Sequence, residues 1–224
     1  NKTALNGDLR QHAAFLSFDY GVTDSTALDA TVGWAWSEVD GVFGDASDDG
    51  LGDTTFGIRR RFIDETLLDL WWLPSLAVRV GGIIEGTYDE NFPFSAGDGA
   101  SGAEASLLAG KTIWSGLGLY ADVGYRYRDG RVPDEWFGAT GLFVSWKFLA
   151  FSAAYRFTEG LSGNDIGDTG FTFPTVKEIS QNLEASIGFS DPGGRHYQLF
   201  YAHAIGGRNT GERDIFGAAI SFTW

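Results

Sequence analysis

Hydrophobic and polar side chains alternate with a period of two along nearly the whole chain. Ala14, Leu16, Phe18, Tyr20 and Val22 are interleaved with Ser17, Asp19 and Gly21. After the tight turn Thr23-Asp24-Ser25, the residues Leu28, Ala30, Val32, Trp34 and Trp36 are interleaved with Ala27, Asp29, Thr31, Gly33, Ala35 and Ser37. Strict alternation of this kind predicts strands with one apolar face and one polar face. It recurs over Thr54–Phe62, Leu76–Ile84, Ala105–Ile113, Leu117–Tyr127, Leu142–Trp146, Leu149–Phe157, Ile179–Phe189, Tyr197–Tyr201 and Phe216–Trp224. That makes about eleven strand segments by pattern.

The connections alternate in length. Short turns are expected at Thr23–Ser25, Trp114–Gly116, Lys147–Phe148 and Ser190–Arg195, with a slightly longer one at Ile63–Asp69. Long polar connections fall at Glu38–Gly50, Thr87–Gly102, Glu159–Lys177 and Gly206–Asp214, with a shorter one at Asp129–Asp134. Short turns at one rim and long loops at the other characterise outer-membrane barrels, and a soluble sandwich has no reason to sort its connections so. The expected fold is all-β: a transmembrane antiparallel up-and-down β-barrel occupying residues 1–224 as one domain. Its short turns would be periplasmic and its long loops extracellular. The strand count should be about twelve, with ten as the alternative, because single-chain bacterial barrels have even numbers and periplasmic termini. By that logic an ascending strand precedes Leu16–Val22. Asn1–Leu9 is polar for that role, so either it is an atypical strand or the first strand is absent from these 224 residues.

Which face meets which medium follows from the cost of the alternatives. The polar face carries Asp19, Asp29, Asp53, Arg59, Arg61, Arg79, Glu85, Glu104, Asp122, Arg126, Arg128, Arg156 and Glu184. A dry core holding them would lose several kcal/mol per unpaired ion. Water around the Leu, Phe, Trp and Tyr face would expose far more apolar surface than the few hundred Å² a monomer tolerates. Turning the barrel inside out removes both penalties, and closure removes the sheet edge that hydrocarbon cannot hydrogen-bond. Trp34, Trp36, Tyr125, Tyr127, Trp146, Tyr155, Phe157, Phe222 and Trp224 lie near strand ends, where aromatic girdles belong. Arg60 and Lys111 fall on the lipid face by alternation; both are near short turns, and snorkelling to the interface is expected.

Composition narrows the picture. Thirty-two glycines and 15% aromatic residues suit tight turns and close strand packing. There is no cysteine, hence no disulfide and no thiolate chemistry. A chain that opens at Asn1 and contains no methionine is expected to start downstream of its initiator, as after removal of a signal peptide. A formal charge of −14 disfavours a nucleic-acid partner. It suits solvated loops, or divalent-cation bridging to lipopolysaccharide. No apolar run is long enough for a transmembrane helix, which leaves strands as the only way to cross a bilayer.

Two stretches carry a family resemblance. The terminal run Phe216-Gly217-Ala218-Ala219-Ile220-Ser221-Phe222-Thr223-Trp224 resembles the last strand of Gram-negative outer-membrane proteins, which the barrel-assembly machinery reads. Gly50-Leu51-Gly52-Asp53-Thr54-Thr55-Phe56-Gly57-Ile58-Arg59-Arg60-Arg61-Phe62, with the turn Tyr20-Gly21-Val22-Thr23-Asp24-Ser25, is similar to strands of the phenol-degradation meta-pathway outer-membrane proteins. That resemblance implies a channel for small, hydrophobic or aromatic molecules, and it transfers no functional residue.

Catalysis is not expected. The histidines are His12, His196 and His203, none in a His–Ser pattern known for outer-membrane acyl hydrolases, although a cross-strand pair such as Ser221 with His203 is open to geometry. The acidic run Asp45-Ala46-Ser47-Asp48-Asp49-Gly50 lacks the spacing and terminal Glu of an EF-hand loop, so no metal or cofactor is expected. Phe92, Phe94, Phe171 and Phe173 are aromatic where loops are usually polar and form a candidate lid. Asp53, Arg59, Arg61, Arg79, Glu85, Glu104, Asp122, Arg126, Arg156 and Glu184 are the candidate lumen-lining charges. Two functions fit: a channel for passive diffusion of small solutes across the outer membrane, or a closed structural or surface-interaction barrel plugged by those salt bridges, within a larger envelope complex. The expected partners are outer-membrane lipid and lipopolysaccharide, a small-molecule solute and the assembly machinery.

Overall fold

The computed structural model describes residues 7–41, 46–68, 70–90, 92, 95, 97–170, 172–210 and 213–222. Alternating sequence has become strand throughout: β1 (Gly7–Thr23), β2 (Thr26–Gly41), β3 (Ala46–Leu51), β4 (Thr54–Ile63), β5 (Ser75–Ile84), β6 (Gly102–Trp114), β7 (Leu117–Arg128), β8 (Glu135–Trp146), β9 (Leu149–Gly160), β10 (Ile179–Ser190), β11 (Arg195–Arg208) and β12 (Asp214–Phe222). They form one twelve-stranded antiparallel sheet in which each strand pairs with the next, except that β3 pairs only with β2 and β2 continues to β4. The sheet curls as an up-and-down barrel wall.

The decisive feature is what the wall buries. Among the described residues no large side chain is fully buried, and the buried apolar residues are small or few: Ala35, Ile83, Ala100, Val132, Ala139, Ala154 and Ala202. The large apolar face points outward, with Leu16 at 72% exposure and Phe18 at 48%. Arg79 and Glu104, by contrast, keep only 15% and 7% of their side chains exposed. A water-soluble barrel would show the reverse order, because an exposed apolar belt of this extent drives aggregation.

Strand pairing extends several expected boundaries. Glu38–Gly41 and Ala46–Leu51 are not loop but the arms of a hairpin that continues β2 past the wall, with Ser37 opposite Asp48 and Glu38 opposite Ser47. The acidic run therefore lies largely on a strand, where neighbouring side chains point to opposite faces; Asp45 lies outside the described residues. The β4–β5 connection covers residues 64–74 rather than ending at Asp69.

The two ends of the sheet explain the count. β1 and β12 both run from the long-loop end to the short-turn end, and no pairing joins them among the described residues. Closing the wall with every neighbour antiparallel takes one more strand running opposite to both. Gly7–Leu9 belong to β1 itself and pair with Val39–Gly41 of β2. They are not an ascending strand, and residues 1–6 lie outside the described residues.

Candidate functional site

Ion pairs on the inner face run along the wall, from strand to strand. One hydrogen-bonding row links Asp29 on β2 to Gly57 on β4, Gly57 to Gly81 on β5, and Gly81 to Glu104 on β6. It continues from Glu104 to Arg126 on β7 and from Arg126 to Glu135 on β8. The row begins near the short turn before β2 and ends at the loop-side end of β8, so it climbs the wall as tilted strands require.

With Arg79 leaning in from two residues before Gly81, charges alternate in sign along this row. Arg79 reaches from β5 across β4 to Asp29, with Nε donating at 3.0 Å and Nη2 at 2.6 Å. Its Nη1 donates to Glu104. Glu104 accepts from Arg126 Nε at 3.0 Å, and Arg126 Nη1 donates to Glu135 at 3.0 Å. The span across β4 depends on Gly57, where a Cβ would stand 2.8 Å from Arg79 Nη2. Arg126 also lies over the Phe137 ring, 4.9 Å from its centroid.

Above this row sits a second cluster. Arg128 donates from Nη2 to Asp53 at 2.8 Å and to Asp98, and from Nη1 to the Ala100 carbonyl at 3.1 Å. Asp53 also accepts the Tyr88 hydroxyl at 2.5 Å, and Tyr88 accepts the Gly99 N–H. Burial, joined by the hydrogen bond to the Asp53 carboxylate, pushes the Tyr88 phenol well above its ordinary value. Arg128 thus ties the β5–β6 connection to the Gly52-Asp53 link before β4 and to β7. Only 3% of its side chain is exposed.

The other predicted charges form smaller units. Arg59 pairs with Asp19 at 2.9 Å. Arg61 pairs with Asp64 at the short-turn rim and donates to the Asp24 carbonyl. Arg156 pairs with Glu184 at 2.9 Å, and Asp122 occupies the same row as Arg156, separated by Ala139. Glu85 stands exposed past the end of β5, outside the ladder. Sequence reading did not single out Glu135, Tyr88 or Asp98: the first begins a strand and the others lie in a loop, where no alternation marks a face.

Two further expectations meet geometry. Ser221 is not the partner of His203, whose Nδ1 lies 2.8 Å from Asp214. A Ser–His contact does occur elsewhere, Ser190 Oγ to His196 Nδ1 at 2.7 Å across β10 and β11. Nothing among the described residues supplies an acid to orient that imidazole, and a nucleophile needs more than a cross-strand hydrogen bond. Of the candidate lid, Phe94 and Phe171 lie outside the described residues. Phe92 is half-buried in the β5–β6 connection, and Phe173 is half-buried in the short 3-10 turn Phe173–Thr175. That turn belongs to a self-closed loop in which Asn164 N–H donates to the Thr175 carbonyl and Lys177 N–H to the Asn164 carbonyl.

No protein-family model matches the sequence, and no curated protein does. A crystal structure of an outer membrane channel from Pseudomonas putida F1 is similar in three dimensions, with a TM-score of 0.70 at 13% identity over 96% of this chain and 83% of that one. The fold is that of an outer-membrane β-barrel. Within the barrel the inner face becomes a lumen, and the ladder Asp29–Arg79–Glu104–Arg126–Glu135 becomes one side of it. The opposite side, on β11 and β12, presents His196, Gln198, Phe200, Ala202, Ile215, Gly217, Ala219 and Ser221, with no Asp, Glu, Lys or Arg among them. Between the two sides a hollow of about 280 Å³ is bounded by Tyr120, Ser152, Arg156, Glu184, Gln198 and Phe200.

Proposed function

We propose that this protein is a channel of the Gram-negative outer membrane that lets small solutes diffuse passively through its lumen. The supporting observation is that the charged side chains are neutralised by neighbours along the wall, not by partners across the bore. A ladder lying flat against its own strands leaves the axis open, whereas a plug would need pairs spanning it. Small residues on β11 and β12 add room. A barrel of this size lies between the side-chain-filled barrels of about 8 strands and the open porins of about 16, so the arrangement of side chains decides the matter. The neighbouring channel from Pseudomonas putida F1 and the resemblance of Gly50–Phe62 to the phenol-degradation proteins point the same way. The resemblance favours solutes that are small and hydrophobic or aromatic. In this reading the short turns face the periplasm, the long loops meet lipopolysaccharide, and the Phe216–Trp224 run is recognised by the assembly machinery.

Planar-bilayer recording tests the proposal. The purified, refolded chain is expected to give discrete conductance steps. A barrel that inserts and refolds by circular dichroism yet gives no steps is the closed, plugged alternative, and the transport reading would fall.

A further inference from the structure

Four of the short connections are small: Asp24-Ser25, Ser115-Gly116, Lys147-Phe148 and Asp191–Gly194. The fifth, between β4 and β5, is different in length and chemistry. Residues 64–74 read Asp-Glu-Thr-Leu-Leu-Asp-Leu-Trp-Trp-Leu-Pro, and Leu67, Trp71 and Trp72 are 80%, 86% and 61% exposed. A rim turn in water has no use for such a segment, since each exposed Trp or Leu forgoes the gain of removing its apolar surface from water.

The connection is held in one place. Glu65 receives the Lys111 ammonium at 2.9 Å and the Thr112 N–H at 3.0 Å, while Lys111 Nζ also donates to the Leu73 carbonyl at 3.2 Å. Glu65 N–H donates to the Ser75 hydroxyl, and Asp64 is engaged by Arg61 and Thr66. Lys111 lies opposite Leu119 on the outward face of β6. These bonds therefore lay the segment beside the lipid-facing end of β6 rather than under the lumen. They also correct the role expected of Lys111, which fastens the connection instead of only reaching for the interface. The two acidic groups described at its base are both neutralised; the Asp69 carboxylate lies outside the described residues. At the same short-turn rim the outward ends of the strands carry Phe62, Trp114, Trp146 and Phe148, all more than half exposed.

We propose that the β4–β5 connection is a membrane-interface anchor, seating Leu67, Trp71 and Trp72 in the headgroup–acyl boundary of the phospholipid leaflet next to the short-turn rim. The inference rests on the membrane reading of the barrel. Its occupant is lipid because the patch lies at the rim of the belt that already faces lipid, and amphipathic segments with Trp on the apolar side settle about 5–10 Å into that boundary. Glu65 and Lys111, joined to each other, can lie at this depth at lower cost than either alone.

The absence of cysteine permits a clean test. Trp71→Cys, Gly193→Cys and Leu119→Cys are each spin-labelled in the full chain and reconstituted into phosphatidylethanolamine–phosphatidylglycerol vesicles. Collisions with oxygen and with a water-soluble nickel chelate are then compared. The Trp71 label is expected to shift toward the oxygen-rich ratio of the lipid-facing Leu119 label and away from that of Gly193 in its polar turn. A Trp71 label as open to nickel as Gly193, while Leu119 remains in lipid, overturns the anchor alone. If Leu119 is also open to nickel, the membrane reading itself is wrong. Spin–spin broadening between Trp71 labels on different barrels would show a protein occupant and equally overturn the proposal.

Discussion

The two sides of the lumen are built on opposite principles. From β2 to β8 the inner wall is a continuous exchange of charge, in which Arg79 serves two carboxylates and Glu104 serves two guanidinium groups. On β11 and β12 the inner wall is made of glycine, alanine, serine, glutamine, one phenylalanine, one isoleucine and, at the short-turn end, His196. Both solve the same problem, filling the inward half of a strand whose outward half is committed to lipid. The charged side does so with long side chains that need each other: a partly buried ion is stable only while its partner is present. The uncharged side does so with mostly small groups that depend on no ion pair. One wall is thereby held together by charge pairing, and the other keeps most of its side chains short.

Substitutions can break or sharpen that contrast. The largest effect is expected from Glu104→Ala, which leaves Arg79 and Arg126 facing each other without the carboxylate between them. Breaking such a pair costs about 3–5 kcal/mol, and the lower end applies here because 26% of the Arg126 side chain stays exposed. Urea unfolding of the barrel in phospholipid vesicles measures it; a change no larger than that for an exposed pair would mean that lumen water already screens the ladder. A smaller loss, about 1–3 kcal/mol, is expected for Gly57→Ala in the same assay, since the new methyl group occupies the path of Arg79 toward Asp29. Gly188→Ala, where a Cβ has nothing nearer than 3.5 Å, is the control. The smallest stability effect belongs to the uncharged wall. Ala219→Trp should change stability by no more than about 0.5 kcal/mol, as exposed substitutions do, yet lower single-channel conductance by narrowing the bore. Unchanged conductance would show that solutes do not pass along β12.

Much of this architecture is legible in the sequence. Alternation alone places Leu119 and Val123 outward and Tyr120 and Asp122 inward, because a strand can turn only one of two faces to a given side. Alternation places Arg79, Glu104 and Arg126 on the inner face for the same reason. It does not identify their partners. Arg79 meets Asp29, which is fifty residues away, because β4 lies between them with a glycine at the crossing point. No local pattern encodes which row of one strand faces which row of another.

The same distinction holds for the connections. The hairpin arm Ala46–Leu51 reads as a polar acidic loop, since its alternation is hidden among aspartates and glycine. The β4–β5 segment reads as a turn that happens to be greasy. Strand periodicity, the inverted placement of apolar and ionised groups, and the sorting of short and long connections were properties of the chain itself, because each depends on neighbours one or two residues apart. The direction of the ion pairs along the wall, the clamp of Arg128 on Asp53 and Asp98, and the outward set of Leu67, Trp71 and Trp72 were decided only by register and strand tilt. Those fix distances between residues that sequence separation leaves free.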